Sequence, residues 1–493
     1  FRNKGVKRDA WKVMKQFYKI VTIIIGFLFL CLPMMEAAEA AGYDYVMDPD
    51  TRRRVSIPLT YNVADVLTYE VDGKPLNQGR SLFIDRQGLL YISDTGNNRI
   101  IKSEKDGHVL DVYTGTPEKP FSQPMGLFAD ADGDLYVADK GNHRIVHLSP
   151  EGKVIEEFGD LNSSLLGENF VFEPTNVCVS STGYLYTTKG HSIMTIDANN
   201  EFRGYVGSIE IGFDLKRAFV RMFATEEQQG RISRDLPPSY SNLTIAKDGT
   251  IFATSVNTSA NQIIALNSVG RNTFQEGAYG ETTNESGDPI VPYFVDIAVD
   301  HNGMVNALEQ KTGKVYQFDR EGNMTTVFGG SGNKLGQFKM ASSIAVDGDG
   351  AVYILDYDRN NIQVFQPTRF IRTVQDAIHH HNEGNYAQAK GLWSDVLKID
   401  ANYSLAHKGI GKALMKEKKW AKAMEEYREA DDMKDYSAAF DEYRMNVVRT
   451  KFGQILLVIA AIGMVCWFAT KKSRKATRTL VDKYTKWQGG VGL

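Results

Sequence analysis

The chain has 493 residues, and its lysines and arginines nearly balance its acids, giving a net charge of −3 at pH 7. That balance excludes a nucleic-acid binder built on bulk positive charge, and the length suits several domains. The three cysteines exclude a disulfide framework and a cysteine-built zinc site: Cys31 and Cys466 fall in apolar runs, and only Cys178 lies between them.

Residues 1–19 carry seven basic side chains, from Arg2 to Lys19, against the single acid Asp9. An apolar run, Ile20 to Leu32, follows, and then small residues ending Ala38-Glu39-Ala40. This is the pattern of a secretory signal peptide over residues 1–40, cleaved after Ala40; retained, it would act as an anchor. Bulky Leu30 before Cys31 speaks against a lipoprotein signal. Residues 41–60, polar and marked by Arg52-Arg53-Arg54, read as a mostly irregular lead-in segment. Residues 61–71 read as a strand or hairpin without a sheet of its own.

A phrase then recurs about six times between residues 80 and 366. Its clearest copy runs from Gln123 to Ile145: two apolar runs flank an Asp-x-Asp-Gly turn, and the second ends in Asp139-Lys140-Gly141-Asn142-His143-Arg144-Ile145. Turn glycines at 88, 133, 183, 249, 303 and 350 recur every 45 to 66 residues. Glycine suits these turns because they demand positive φ. Short strands at this period predict a mainly β, six-bladed propeller with one small antiparallel sheet per blade. The orphan strand in 61–71 would complete the last blade and close the ring, removing free edges. The longest interval holds residues 208–238, where an insertion would be a binding loop or a lid on the rim.

The corner motif is carried by Asp94, Asn98 and Arg99 in blade one and by Asp139, Asn142, His143 and Arg144 in blade two. It is altered in blade six, at Asp356 and Asn361. At these residues the chain resembles the NHL-repeat family over about residues 61–366. The resemblance implies a propeller in which these side chains tie backbones together. Blades three to five keep only the strand–turn–strand rhythm.

After Pro367 the apolar period changes from two to about 3.6. Tyr386 and Trp420, Ala389 and Ala423, and Trp393 and Tyr427 stand 34 residues apart. Small residues where helices cross, with aromatics between, resemble tetratricopeptide repeats over about residues 370–435. Residues 368–450 are therefore expected to form a TPR-like helical array, serving as a peptide groove or as a stalk. Phe452 to Ala469 is an uncharged run just long enough for a transmembrane helix. Lys471, Lys472, Arg474, Lys475 and Arg478 follow, which by the positive-inside rule puts the tail at 470–493 in the cytoplasm and residues 41–450 outside.

Propellers of this shape include lactone hydrolases of the gluconolactonase type, with a metal in the channel, and zinc-dependent amidating lyases. His143 and His147 share one blade, and His379, His380 and His381 are consecutive on a helix, so neither group makes a converging zinc set. Oxygen donors are abundant at Asp85, Asp130, Glu173, Asn176, Asp296, Asp300 and Asp347. Asn176 and Asp296 precede the inner strands of their blades, where a channel ligand to Ca²⁺ would lie. Regular blades place Asp at such points in any case. No catalytic or cofactor-binding residue is assigned, and no cofactor is required. The expected role is a binding or scaffold protein of a bacterial envelope, on the cell membrane. Its expected partner is an envelope protein, a transporter component or a surface ligand; nucleic acid is not expected. The alternative is a metal-dependent lactonase-like hydrolase using Ca²⁺ or Zn²⁺ in the channel.

Overall fold

The computed structural model describes residues 43–48, 53–161, 163, 165–166, 170–207, 238–283 and 289–488. The signal segment and nearly all of the insertion expected at 208–238 lie outside them. The chain divides between Arg372 and Thr373 into two compact units.

The first unit is a six-bladed β-propeller. Blade two shows the pattern: Pro124–Ala129, Leu135–Asp139, Arg144–Leu148 and Val154–Gly159 pair antiparallel in that order. Blade one uses Ser81–Ile84, Leu90–Asp94, Arg99–Ser103 and Val109–Tyr113. Blade three starts from the short inner strand Cys178–Val179 and ends at Phe202–Val206. Among the described residues blade four has three strands, Ser239–Ile245, Ile251–Val256 and Ile263–Leu266. Successive inner strands pack against one another around the ring.

The second strands explain why the repeat reads as near-continuous apolar runs. Leu90–Asp94, Leu135–Asp139, Val305–Glu309 and Val352–Asp356 are buried at every residue. Each is covered on both faces by neighbouring blades, so alternation is lost. The core therefore lies between blades. Tyr91 and Ile100 of blade one pack with Leu135 and Val146 of blade two, and Leu90 and Ile101 pack with Tyr353 and Ile362 of blade six. At the hairpin turns, Asp85, Asp130, Asp300 and Asp347 each accept two backbone N–H bonds two and four residues ahead. The turn glycine follows with φ between 80° and 88°.

The orphan strand expected to close the ring is Tyr61–Thr68. It pairs antiparallel with Asn361–Pro367 as the outer strand of blade six, with Thr68 opposite Asn361 and Tyr61 opposite Pro367. The irregular lead-in is corrected. Tyr43–Met47 and Arg54–Pro58 form an antiparallel hairpin on the outer edge of blade five, with Tyr45 opposite Val327, making that sheet six-stranded. Its anchor is Glu281, which receives the Tyr45 hydroxyl (2.5 Å), Arg54 and Lys314 (both 2.8 Å). The two strands are short, and the polar residues between them hid them in the sequence.

The second unit is helical: α1 (Arg369–Asn382, begun in the first unit), α2 (Tyr386–Ile399), α3 (Ser404–Lys416), α4 (Trp420–Glu429) and α5 (Met433–Gln488). The Trp393 ring occupies the space a Cβ would take at Gly409, and the Tyr427 ring that at Gly411. Ala389 and Ala423 are fully buried, while Tyr386 and Trp420 are half-buried. Helix α5 has 56 residues, about 84 Å at 1.5 Å per residue. Among the described residues it alone is long and apolar enough to cross a membrane, and its apolar window is wholly exposed.

Candidate functional site

Seven residues before each turn glycine stand Ser81, Gly126, Asn176, Asn242, Asp296 and Ser343; the first five line the channel neck, and Ser343 is hydrogen-bonded to Asp296 there. Above them the inner strands enclose a cavity of about 150 Å³ whose walls include Phe83, Phe128, Ile245 and Val299. Hydrogen bonds made by five of these residues or by their near neighbours link the six blades in a closed hoop, in which Ser81 itself takes no part. From blade one, Ser93 Oγ donates to Pro124 O of blade two (2.8 Å). Gly126 N–H donates to Thr175 O of blade three (3.1 Å). Asn176 Nδ2 reaches Ser241 O of blade four (3.3 Å). Asn242 Nδ2 donates to Asp296 Oδ1 of blade five (2.5 Å). Ser343 Oγ and Ile344 N–H of blade six donate to Asp296 Oδ2 (2.5 and 2.8 Å). Leu82 N–H donates to Ser343 Oγ (2.9 Å), which returns the hoop to blade one.

Gly126 is dictated by this closeness. A Cβ there would lie 2.4 Å from Asn176 Cα and 3.0 Å from Thr175 O, both backbone atoms of the next blade. Asp296 sits within the inner strand Phe294–Val299, not ahead of it as expected. Its carboxyl is fully enclosed by neutral donors, and burial pushes its pKa up to about 6. The hydrogen bonds from Ser343, Ile344, Ile297 and Asn242 offset only part of that desolvation. Asn176, the other metal candidate, is also buried; its Oδ1 accepts Thr188 N–H (2.9 Å) and its Nδ2 reaches Thr188 Oγ1 (2.8 Å). Asp296 and Asn176 thus lie in one hoop, each held by neighbours. Counting back from the turn glycines would have found Ser81, Gly126, Asn242 and Ser343, which motif reading passed over.

The corner residues form a second set, at the blade seams. In blade two, Asp139 accepts Asn142 Nδ2 and Arg144 Nε (both 2.8 Å) and the Ser122 N–H of its own incoming linker (2.8 Å). In blade one the same places are taken by Asp94, Asn97 and Arg99, with Arg99 Nε 2.6 Å from Asp94. This corrects the motif by one residue: Asn97, not Asn98, is the partner of the aspartate. Asn98 and His143 are instead the left-handed residues at φ 55° and 56°, and they reach the next blade. Asn98 Oδ1 accepts Gln123 N–H (2.8 Å), and His143 Nδ1 lies 3.0 Å from Phe172 O. In blade six, Asn361 stands where the arginine would be. The guanidinium comes from Arg359, which donates to Gln337 O (2.8 Å) and lies 3.6 Å from Asp356. Asn360 takes the left-handed place and accepts Gln78 N–H of blade one (2.8 Å).

The remaining candidates are scattered. Glu173 is exposed on the linker into blade three. His147 stacks on Tyr136 at 4.2 Å with Nε2 3.1 Å from Asp134. His379 pairs with Glu383 at 3.3 Å. Among the described residues no three His, Cys, Asp or Glu side chains come together as a metal site.

The class these features define is a six-bladed β-propeller carrying an NHL repeat. The profile of that repeat matches residues 121–148, the strands, turn and corner of blade two. No curated protein matches the chain. Among solved structures it is similar to a streptogramin B lyase, at 13% identity over 63% of this chain and 98% of that one, with a TM-score of 0.39. It is similar to virginiamycin B lyase from Staphylococcus aureus at 14% identity, over 66% and 88%, TM-score 0.39. It is also similar to a gluconolactonase from Xanthomonas campestris at 13% identity, over 62% and 99%, TM-score 0.40. None of these likenesses assigns an activity.

Proposed function

We propose that the protein is a membrane-anchored binding or scaffold protein that engages an envelope protein, a transporter component or a surface ligand. The observation that supports this most is the state of Asp296. The carboxylate that faces the channel has both oxygens occupied by blades four, five and six. Its chemistry is spent on closing the ring and leaves little for a metal or a substrate. The helices support a TPR-like reading through Ala389 and Ala423, and Trp393 and Tyr427, pairs that stand 34 residues apart and are buried. Phe452–Ala469 is read as the span, with residues 41–450 outside and the basic tail inside.

The test is crosslinking in intact cells, followed by purification of the full chain from membranes and identification of what comes with it. One partner enriched over an untagged control supports the reading. The rival hydrolase is addressed on the same preparation by thermal melting with Ca²⁺ or Zn²⁺. A rise in melting temperature that disappears in Asn176→Ala or Asp296→Ala, with no partner recovered, would overturn the scaffold in favour of a metal site. Protease added to spheroplasts should digest residues 41–450 and spare the tail; the reverse pattern inverts the orientation.

A further inference from the structure

The end of α5 carries a pattern that a simple charged stop after a membrane span does not need. Residues 471–485 are helical and exposed throughout. At about 100° per residue, Ala476, Leu480, Tyr484, Thr477 and Val481 fall, with Ser473, within one arc of about 140°. Lys471, Lys472, Arg474, Lys475, Arg478 and Lys483 all fall outside that arc, Arg474 and Lys483 beside its edges, with Asp482 the only acid among them. A positive-inside flank needs only the charges. It gives no reason for Leu480, Val481 and Tyr484, 68%, 55% and 63% exposed, to share one side free of cations.

We infer that residues 471–485 form an amphipathic helix that binds a membrane surface rich in anionic phospholipid. The apolar arc would enter the acyl boundary while the cations meet the headgroups. This rests on the reading of Phe452–Ala469 as the span. Two observations fix the occupant. Six cations against one acid complement an anionic layer. Continuity supplies that layer, since Lys471 begins two residues after the span ends. Continuing straight, α5 would carry Leu480 about 16 Å beyond Ala469 into water. Lying in the interface, the apolar arc sits about 5–10 Å into the boundary, where its area is removed from water. The helix then bends between Thr470 and Ser473 when the membrane is present.

The test uses the full chain with Cys466→Ser, reconstituted into nanodiscs of phosphatidylcholine alone or with phosphatidylglycerol. Nitroxide labels are placed singly at Ile459→Cys, Lys475→Cys, Leu480→Cys and Tyr484→Cys, and contact with oxygen and with a water-soluble nickel complex is measured. The expected result is lipid contact at 459 in both membranes. With phosphatidylglycerol, lipid contact is expected at 480 and 484 and water contact at 475. In phosphatidylcholine, or after Lys471, Lys472, Arg474, Lys475 and Arg478 are changed to Gln, contact at 480 and 484 should pass to water. Lipid contact at 459 with water contact at 480 in both membranes overturns the inference alone. Equal lipid contact at 480 in both membranes removes the anionic preference and overturns it too. Shielding of 480 from both reagents would assign the face to a protein instead. Water contact at 459 would remove the span, and this inference with it.

Discussion

The blade corner at Asp139 and the channel neck at Asp296 both bury an aspartate, and they use it in opposite ways. At the corner a cation is supplied from five residues away: Arg144, buried with Asp139, closes a pair that is local to the blade and its linker. At the neck no cation is supplied. Neutral donors from blades four and six converge on Asp296, and its carboxyl is raised to about 6 by burial. The corner is a repeated device, present in blades one and two with the same residues. The neck is a single device made once, by bonds that differ from one blade junction to the next. The difference teaches that this propeller closes twice. It closes at the rim by seams that each blade carries, and at the centre by a hoop that exists only when all blades are present.

Breaking the corner should have the largest effect. Arg144→Leu leaves the buried Asp139 carboxylate without its counter-charge and should cost about 3–5 kcal/mol. All five tryptophans lie outside the propeller, at positions 11, 393, 420, 467 and 487. Tryptophan fluorescence will therefore follow the helices, while deuterium exchange at the amides of blade two follows the propeller. A loss seen equally in both signals would contradict a role confined to the blade.

The neck predicts a pH dependence that the corner pair does not explain. A carboxyl raised in the folded state favours folding fully below its unfolded pKa of 3.8, and that contribution is lost as pH rises through about 6. The shift corresponds to about 2–3 kcal/mol between pH 4 and pH 7. Asp296→Asn should abolish that part of the slope in urea titrations of the full chain. An unchanged slope would mean that the neck carboxyl does not titrate there. Next in size, Gly126→Ala should cost about 1–3 kcal/mol, because only backbone movement in blade three can admit the Cβ. A neutral result would show the hoop to be looser than the 2.4 Å approach implies.

The same contrast explains what was legible in the sequence. Seams repeat, so Asp139, Arg144 and the turn glycines stand out by period, and Tyr61–Thr68 could be assigned to the last blade because it lacked partners of its own. The hoop does not repeat in kind. Ser81, Gly126, Asn176, Asn242, Asp296 and Ser343 share a register but no single residue type, and the hoop's bonds run between blades that only the closed ring brings together. Two carboxamide-bearing neighbours, Asn97 and Asn98, were also indistinguishable by type. Only backbone conformation separates the one that serves Asp94 from the one that crosses the seam. The edge hairpin was hidden for another reason. Tyr43–Met47 and Arg54–Pro58 are short strands whose burial depends on Glu281 and Lys314, far away in the chain.

The smallest prediction divides Asn98 into its two contributions. Its side chain holds Gln123 N–H across the seam at 2.8 Å, and its backbone sits at φ 55°. Losing the hydrogen bond alone should cost about 1 kcal/mol, and glycine accepts the left-handed backbone without strain. Alanine loses the same bond and in addition pays about 1–2 kcal/mol for the left-handed conformation. Asn98→Ala should therefore be the less stable variant by about 1 kcal/mol relative to Asn98→Gly, with both above zero cost. The Gln123 amide should exchange faster with deuterium in both variants, since both open the seam. Equal stabilities would remove the backbone from the account and leave the seam as a hydrogen bond only. Unchanged exchange at Gln123 would mean that the seam is closed by the packing of the inter-blade core and not by the corner that repeats.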